Sequence, residues 1–253
     1  MIRLFISDID GCLATPYQPF LLDELAELRL LAEQAGLPGT NGFFPSFSIC
    51  SGRPYPYVEA MSQVLGLATP VLFESGAGMF DPVAAQRVWH TDVNRAMLDD
   101  ISHVKSFLNQ LVKNTVLMVD LAKQTQASVV APGPEPIQAV FPEIQTYVSD
   151  NHPELEIFRT FFSVDVVVPN LTKQAGVQWL ASLFELEMSE VAFIGDTDGD
   201  LGALQVVGRS YAPSNATKRV QDSVDVSTIG RDVAGVVEAF RDAIHFNEQT
   251  KRE

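Results

Sequence analysis

The chain has 253 residues, 46% of them hydrophobic, with two cysteines and a formal net charge of −15. Length and apolar share allow one large domain or two smaller ones, and two cysteines make no disulfide framework. So acidic a chain argues against nucleic acid and anionic membrane as partners, because both need a basic footprint.

Taken in chain order, Ile2 to Ser7 predicts a fully buried strand. Phe20 to Ala35 carries Leu21, Leu22, Leu25, Leu28 and Leu31 at helical spacing and stops at Gly36. A Gly/Pro-rich loop over 36–45 leads to the short strand Phe47 to Cys50, a helix over Tyr57 to Leu65 and a strand at Pro70 to Phe73. That alternation predicts a parallel sheet with right-handed crossovers. The middle breaks the rhythm. A helix over Met97 to Leu111 is followed by strands at Val116 to Leu121 and Ala127 to Ala131, a helix at Pro136 to Val148, and strands at Leu155 to Arg159 and Val164 to Val168. Alternation resumes with a helix from Lys173 to Phe184, a strand at Val191 to Ile194 and a helix at Leu201 to Val206. A short strand, a helix starting near Asn215, the strand Val224 to Val226 and a last helix, Val233 to His245, complete the chain, with a polar tail from Asn247 expected to fray. The fold class is α/β: a Rossmann-like parallel-sheet core made of residues 1–82 and 164–253, with an α+β domain inserted at 83–163. No apolar stretch spans a bilayer. The apolar N-terminus runs straight into Asp8, unlike a signal peptide, so a cytoplasmic location is expected.

Four polar clusters follow predicted strands. Asp8-Ile9-Asp10-Gly11-Cys12 ends the first, with Gly11 permitting a sharp turn. Two converging acids suit a hard cation such as Mg²⁺, a carboxylate nucleophile, or an acid/base pair. Ser51-Gly52-Arg53 follows the second strand, Lys173 opens a helix after Val164 to Val168, and Gly195 through Asp200 follows Val191 to Ile194. The carboxyl ends of parallel strands share one edge, so all four can meet there. Carboxylates, a hydroxyl and a lysine together match metal-assisted phosphoryl transfer. Taken alone, Ser51 also suits a helix cap, and Tyr55, Tyr57, Trp89 and Trp179 read as packing. His90, His103, His152 and His245 are scattered, with no pairing at metal-ligand spacing.

This order of residues closely resembles the haloacid dehalogenase superfamily of phosphatases, in the sugar-phosphate-phosphatase branch. Phe5 through Leu13 resembles its first motif, with Cys12 where Thr is usual; Ser51-Gly52-Arg53 resembles the second, Lys173 the third, and Phe193 through Asp200 the fourth. Glu74-Ser75-Gly76-Ala77 and Asn215-Ala216 resemble further stretches of that branch, whose cap lies between motifs two and three, where the insert lies here. The resemblance implies that Asp8 is the nucleophile that becomes an aspartyl-phosphate, and that Asp10 is the general acid, then the base. It implies phosphate binding by Ser51, Gly52 and Lys173, with Mg²⁺ held by Asp8, the Asp10 carbonyl and Asp196, and with Asp200 supporting those ligands from behind. Arg53 and Asn215 are candidate substrate contacts. One departure is Gly199, where many relatives have Asn; Asp198 stands beside it as a substitute polar group.

The function this implies is Mg²⁺-dependent hydrolysis of a small phosphorylated metabolite, a sugar phosphate or a phosphoglycolate-like acid. The alternatives are a phosphomutase on the same fold, or a catalytically silent regulator that binds phosphate or sugar phosphate. A silent regulator would have lost Asp8, Asp10 or Lys173, and all are present. The inserted cap is expected to close over the site and to carry specificity, with Lys105, Lys113, Lys123 and Arg159 as candidate anion contacts.

Overall fold

The computed structural model describes residues 1–36 and 42–251. In chain order it runs β1 (Leu4–Ser7), α1 (Leu22–Ala32), β2 (Ser46–Ile49), α2 (Tyr55–Val64), β3 (Val71–Phe73), β4 (Gly78–Asp81) and β5 (Gln86–Trp89). Then come α3 (Arg95–Leu111), β6 (Met118–Val119), β7 (Gln126–Val130), α4 (Pro134–Asn151), β8 (Glu156–Arg159) and β9 (Ser163–Val167). The chain ends with α5 (Lys173–Leu183), β10 (Val191–Ile194), α6 (Leu201–Val206), β11 (Arg209–Ala212), α7 (Lys218–Gln221), β12 (Val226–Ser227) and α8 (Asp232–Thr250). It divides into two compact units, Met1–Val88 with Thr172–Glu253, and Trp89–Leu171.

In the first unit the described residues form a five-stranded parallel sheet, in the order β12-β11-β10-β1-β2. β1, β2 and β10 are buried along their whole length. β1 and β10 therefore read as apolar runs, whereas β2 alternates serine with apolar residues and satisfies its buried hydroxyls on the backbone, Ser46 Oγ donating to Gly36 O at 2.7 Å and Ser48 Oγ to Pro70 O at 2.6 Å. Phe5, Phe47, Tyr211 and Phe240 pack together on one side of the sheet, with ring centroids 5.2 to 5.6 Å apart: Phe5 stacks on Phe47, and Phe240 meets both edge to face. Leu4, Ile6, Val177, Leu180, Phe193 and Leu204 belong to a second buried cluster, with Trp179 packed against it. β3 lies beside β2 in the expected parallel sense, through the bridge from Cys50 to Leu72 and the bond from Ser51 N to Leu72 O at 3.1 Å, and on its other side it pairs antiparallel with β4. Part of the expected Gly/Pro-rich loop, residues 37–41, lies outside the described residues.

The second unit is a four-stranded antiparallel sheet, order β6-β7-β9-β8, with α3 and α4 packed on it through Ile101, Val104, Leu108, Ile137, Val140 and Ile144. Here the structure differs from the sequence reading. Val164 to Val168, assigned above to the core, falls in the second unit, and all of it but Val168 lies in β9 in the middle of this sheet. A five-residue apolar strand does not announce its partners.

The end of the chain also differs. α8 runs on to Thr250, and Asn247 is fully buried rather than frayed. Its amide accepts from Ile2 N at 2.6 Å and donates to the carbonyls of Ile2 at 2.7 Å and Phe43 at 2.9 Å. One polar side chain thus ties the last helix to the start of β1. No described helix is long and apolar enough to cross a membrane.

Candidate active site

Strand register brings the polar clusters together within the first unit. Ser7, Ile49 and Ile194 are level across β2, β1 and β10, so the residues after each strand leave the sheet at one carboxyl edge. Asp8 N donates to Ile194 O at 3.0 Å and Cys50 N to Ser7 O at 2.9 Å, which extends the ladder by one residue. Gly11 then turns left-handed, with φ +76°, and a Cβ there would lie 2.0 Å from Asp196 Oδ2. Only glycine lets the first loop come so close to the loop that carries Asp196.

Lys173 enters from α5, whose N-cap Thr172 accepts from Ala175 N at 3.3 Å. Its buried Nζ lies 2.8 Å from Asp8 Oδ2 and 2.6 Å from Asp200 Oδ1. Asp200 is fully buried, and its other oxygen accepts from Asp196 N, Thr197 N and Thr197 Oγ1 at 3.0 to 3.2 Å. With both oxygens engaged, Asp200 ties the Asp196 loop to Lys173.

Asp8, Asp196 and Asp200 each offer an oxygen within 4.8 Å of the others. Burial pushes the Asp8 and Asp196 carboxyls up, the neighbouring acids push them further, and Lys173 pulls the other way. Burial alone would lower Lys173, but Asp200 and Asp8 outweigh it and hold the ammonium well above its usual value. Three carboxylates against one ammonium leave two negative charges without a partner. Asp8 Oδ1 and Asp196 Oδ1 are also buried without a hydrogen-bond partner. Two orphaned carboxylate oxygens and a surplus of two charges fit a hard divalent cation.

Arg53 grips Asp10. Its Nε donates to Asp10 Oδ2 and its Nη2 to Oδ1, both at 2.6 Å, a bidentate fork. The guanidinium lies 4.8 Å from the Tyr57 ring centroid and 5.5 Å from that of Tyr17. Tyr57 thus flanks the site rather than serving as plain packing, while Tyr55 packs on Phe73 and Phe80. Tyr17 was missed by the sequence reading, because no local pattern marks a ring that reaches a side chain 36 positions away. Ser51 is buried at the end of β2, and its Oγ accepts from Arg53 N at 3.2 Å. That local turn leaves the hydroxyl proton free to donate. Gly52 lies between them, and a Cβ there would lie 3.5 Å from Ser75 Oγ.

A strained turn braces this loop. Glu74 and Ser75 are both left-handed, with φ +49° and +59°. Glu74 N donates to Arg53 O at 3.0 Å and Ser75 N to Ser51 O at 2.8 Å. Consecutive non-glycine residues in this region cost free energy and persist where the surroundings fix them. Gly76 follows at φ +89°, where a Cβ would lie 2.5 Å from the Cα of Gly176 in α5. The turn therefore touches both the Ser51 loop and the helix that carries Lys173.

Three sequence-derived candidates are engaged by other parts of the chain. Asn215 uses its amide on the chain: Nδ2 donates to Gly11 O and Oδ1 accepts from Asp232 N, both at 2.8 Å. It buttresses the first loop instead of facing a substrate. Asp198 turns out to an exposed ion pair with Arg219, at 2.9 Å, so it does not stand in for the Asn absent at Gly199. In the second unit, Lys123 is buried against Asp165 at 2.8 Å and Gln126 at 3.0 Å, which takes it out of the expected anion contacts. Cys12 and Cys50 are buried free thiols, and burial pushes both well up.

A family model described as haloacid dehalogenase-like hydrolase matches residues 134–240. A phosphoglycolate phosphatase of Thermoplasma acidophilum is 26% identical over 95% of this chain and 99% of its own length. One from Natronomonas pharaonis is 24% identical over 95% and 97%. Among solved structures, a Thermoplasma acidophilum protein superimposes with a TM-score of 0.75 at 21% identity, over 96% of this chain and 98% of its own. A haloacid dehalogenase-like hydrolase from Bacteroides thetaiotaomicron does so at 0.73 and 14%, over 96% and 99%.

Proposed function

The chain belongs to the haloacid dehalogenase superfamily of hydrolases and is a phosphatase, and on that premise we propose that it hydrolyses a small phosphorylated acid of the phosphoglycolate type with the help of Mg²⁺. The observation that carries this reading is the buried cluster of Asp8, Lys173 and Asp196 with its two orphaned carboxylate oxygens.

In this reading the Asp8 carboxylate bonds to phosphorus as the bond from phosphorus to the leaving oxygen breaks, and Asp10 gives that oxygen its proton. Asp10 then takes a proton from water as the water oxygen bonds to phosphorus and Asp8 is released. Lys173, the Ser51 hydroxyl and the backbone at Gly52 hold the phosphoryl oxygens. Asp8, Asp196 and the Asp10 carbonyl would hold the cation, which when bound supplies positive charge to the phosphoryl group. Asp10 is fully forked by Arg53, so it must release one oxygen before it can carry a proton. A guanidinium so released is shaped to take a carboxylate on the substrate. That favours a phosphorylated acid over a neutral sugar phosphate, and the names of the two curated relatives agree with it.

Steady-state assays across phosphate monoesters with Mg²⁺ test the reading. Phosphoglycolate should exceed neutral sugar phosphates in kcat/KM, and EDTA should end turnover. Full activity after chelation would remove the cation from the mechanism, and a preference for neutral sugar phosphates would remove the acid.

A further inference from the structure

The second unit holds a side-chain cluster that hydrolysis does not use. Asp100 and His103 lie three residues apart on α3, which puts them on one face. His152 follows directly after α4, where its N–H donates to Val148 O at 2.8 Å. The fold therefore pairs two histidines that sit 49 positions apart in a chain where spacing showed no pairing. Asp100, His103 and His152 each offer a ligand atom within 4.8 Å of the others. His152 is buried, its Nδ1 is 3.2 Å from Asp100 Oδ1 and 4.0 Å from Glu154 Oε1, and the two imidazole centroids are 6.0 Å apart.

We propose that Asp100, His103 and His152 form a cation site for a zinc-class divalent ion, tying α3 to the C-terminal end of α4. Two imidazoles and a carboxylate are the donor set of zinc and its borderline neighbours, whereas Mg²⁺ and Ca²⁺ take oxygens alone. Glu154 stands near enough to serve as a further ligand or to orient His152. The position just past the last turn of α4 adds the partial negative charge of a helix C-terminus, which favours a cation. A plain ion pair between Asp100 and His152 would account for two of the three residues and leave His103 without a reason to be there.

The test is zinc binding to the metal-stripped full-length protein by equilibrium dialysis, with excess Mg²⁺ present to compete at the carboxylate cluster. Wild type should bind zinc and unfold at a higher temperature with it. His103→Ala removes an exposed ring, so the fold should hold, and zinc affinity should drop at least about tenfold, the low end of what losing even an outer partner of a metal costs. Asp100→Asn, which keeps an acceptor for His152, should weaken zinc as well. Cupric ion adds a readout that the all-carboxylate cluster does not give: nitrogen splitting in its paramagnetic resonance spectrum, lost in His103→Ala. Failure of wild type to bind zinc, or equal binding by His103→Ala, would overturn the proposal.

Discussion

Asp8 is only 4% exposed, yet a nucleophilic carboxylate has to be ionised. Burial and the neighbouring acids favour its protonated form, and Lys173 opposes them from 2.8 Å. A bound divalent cation would tip the balance to the charged form. Asp8→Asn keeps the volume and removes one of the crowded like charges. Turnover should fall by far more than about tenfold, or about 1.4 kcal/mol in the barrier, while thermal unfolding without added metal shows no loss of stability. Retention of over a tenth of wild-type turnover would exclude Asp8 as the nucleophile. At this scale the sequence was most legible where the chemistry is local: Asp8, Asp10, Ser51, Arg53, Lys173 and Asp196 all follow strands or open helices in recognisable short patterns. It was least legible for side chains whose partner is distant. The Asn215 amide could face a ligand or the backbone, and only the fold put Gly11 O within its reach.

Among the elements, the turn over residues 74–76 has the largest consequence for its size. Its left-handed residues hold the Ser51 loop by two backbone hydrogen bonds, and Gly76 lies against Gly176 in α5. Gly76→Ala would add a methyl in a disfavoured conformation and against backbone, so either the turn or the helix must shift. The expected loss is about 2 kcal/mol of stability, and kcat should fall as well, because displacing α5 moves Lys173 relative to Asp8. Denaturant midpoints and kcat measured on the same preparation check this, and an unchanged kcat would show that the turn does not position the lysine. Helices were easy to read, since α3 and α4 carry apolar residues at 3.6 spacing over more than four turns. Strands were legible as strands, but not always the sheet they join: β9 is five residues long, and its place between β7 and β8 depends on register and neighbours that no local pattern encodes.

At the scale of the whole molecule, Asp8, Asp196 and Asp200, with Lys173, Ser51 and Arg53, all lie in one unit, Met1–Val88 with Thr172–Glu253. The second unit has its own core and its own buried ion pair. Burial alone would raise Asp165, but Lys123 and the hydroxyls of Ser128 and Ser163 outweigh it, and the carboxyl is held below its ordinary value. A depressed folded value means that this contribution is fully present above the unfolded carboxyl value of about 3.9 and is lost as the pH falls through the lower folded value. Unfolding of the second unit should therefore become easier below about pH 4 in wild type and show a flatter acid limb in Asp165→Asn. At neutral pH that variant leaves Lys123 buried without its charge partner, for an expected loss of about 3 kcal/mol. Hydrogen exchange at β7 and β9 reports on this unit directly, and an identical acid limb in both proteins would remove the pair from the account.

The last prediction assigns the two units different work. Residues 89–171 interrupt the first unit between Arg53 and Lys173, and they contribute none of the acidic cluster. If this insert carries specificity, replacing it with a short linker should leave the acidic cluster, Lys173 and Ser51 in a unit that still folds on its parallel sheet. Slow, Mg²⁺-dependent hydrolysis of a small aryl phosphate should survive, because Asp8, Asp10 and Lys173 remain. Discrimination among natural phosphomonoesters should collapse, because binding free energy from the non-reacting part of the substrate is no longer available to the reaction. Circular dichroism establishes that the shortened protein is folded, and kcat/KM ratios over the same panel of monoesters measure the discrimination. A folded core that keeps the intact protein's ranking of substrates would put specificity in the first unit, with Arg53 as the residue to examine next.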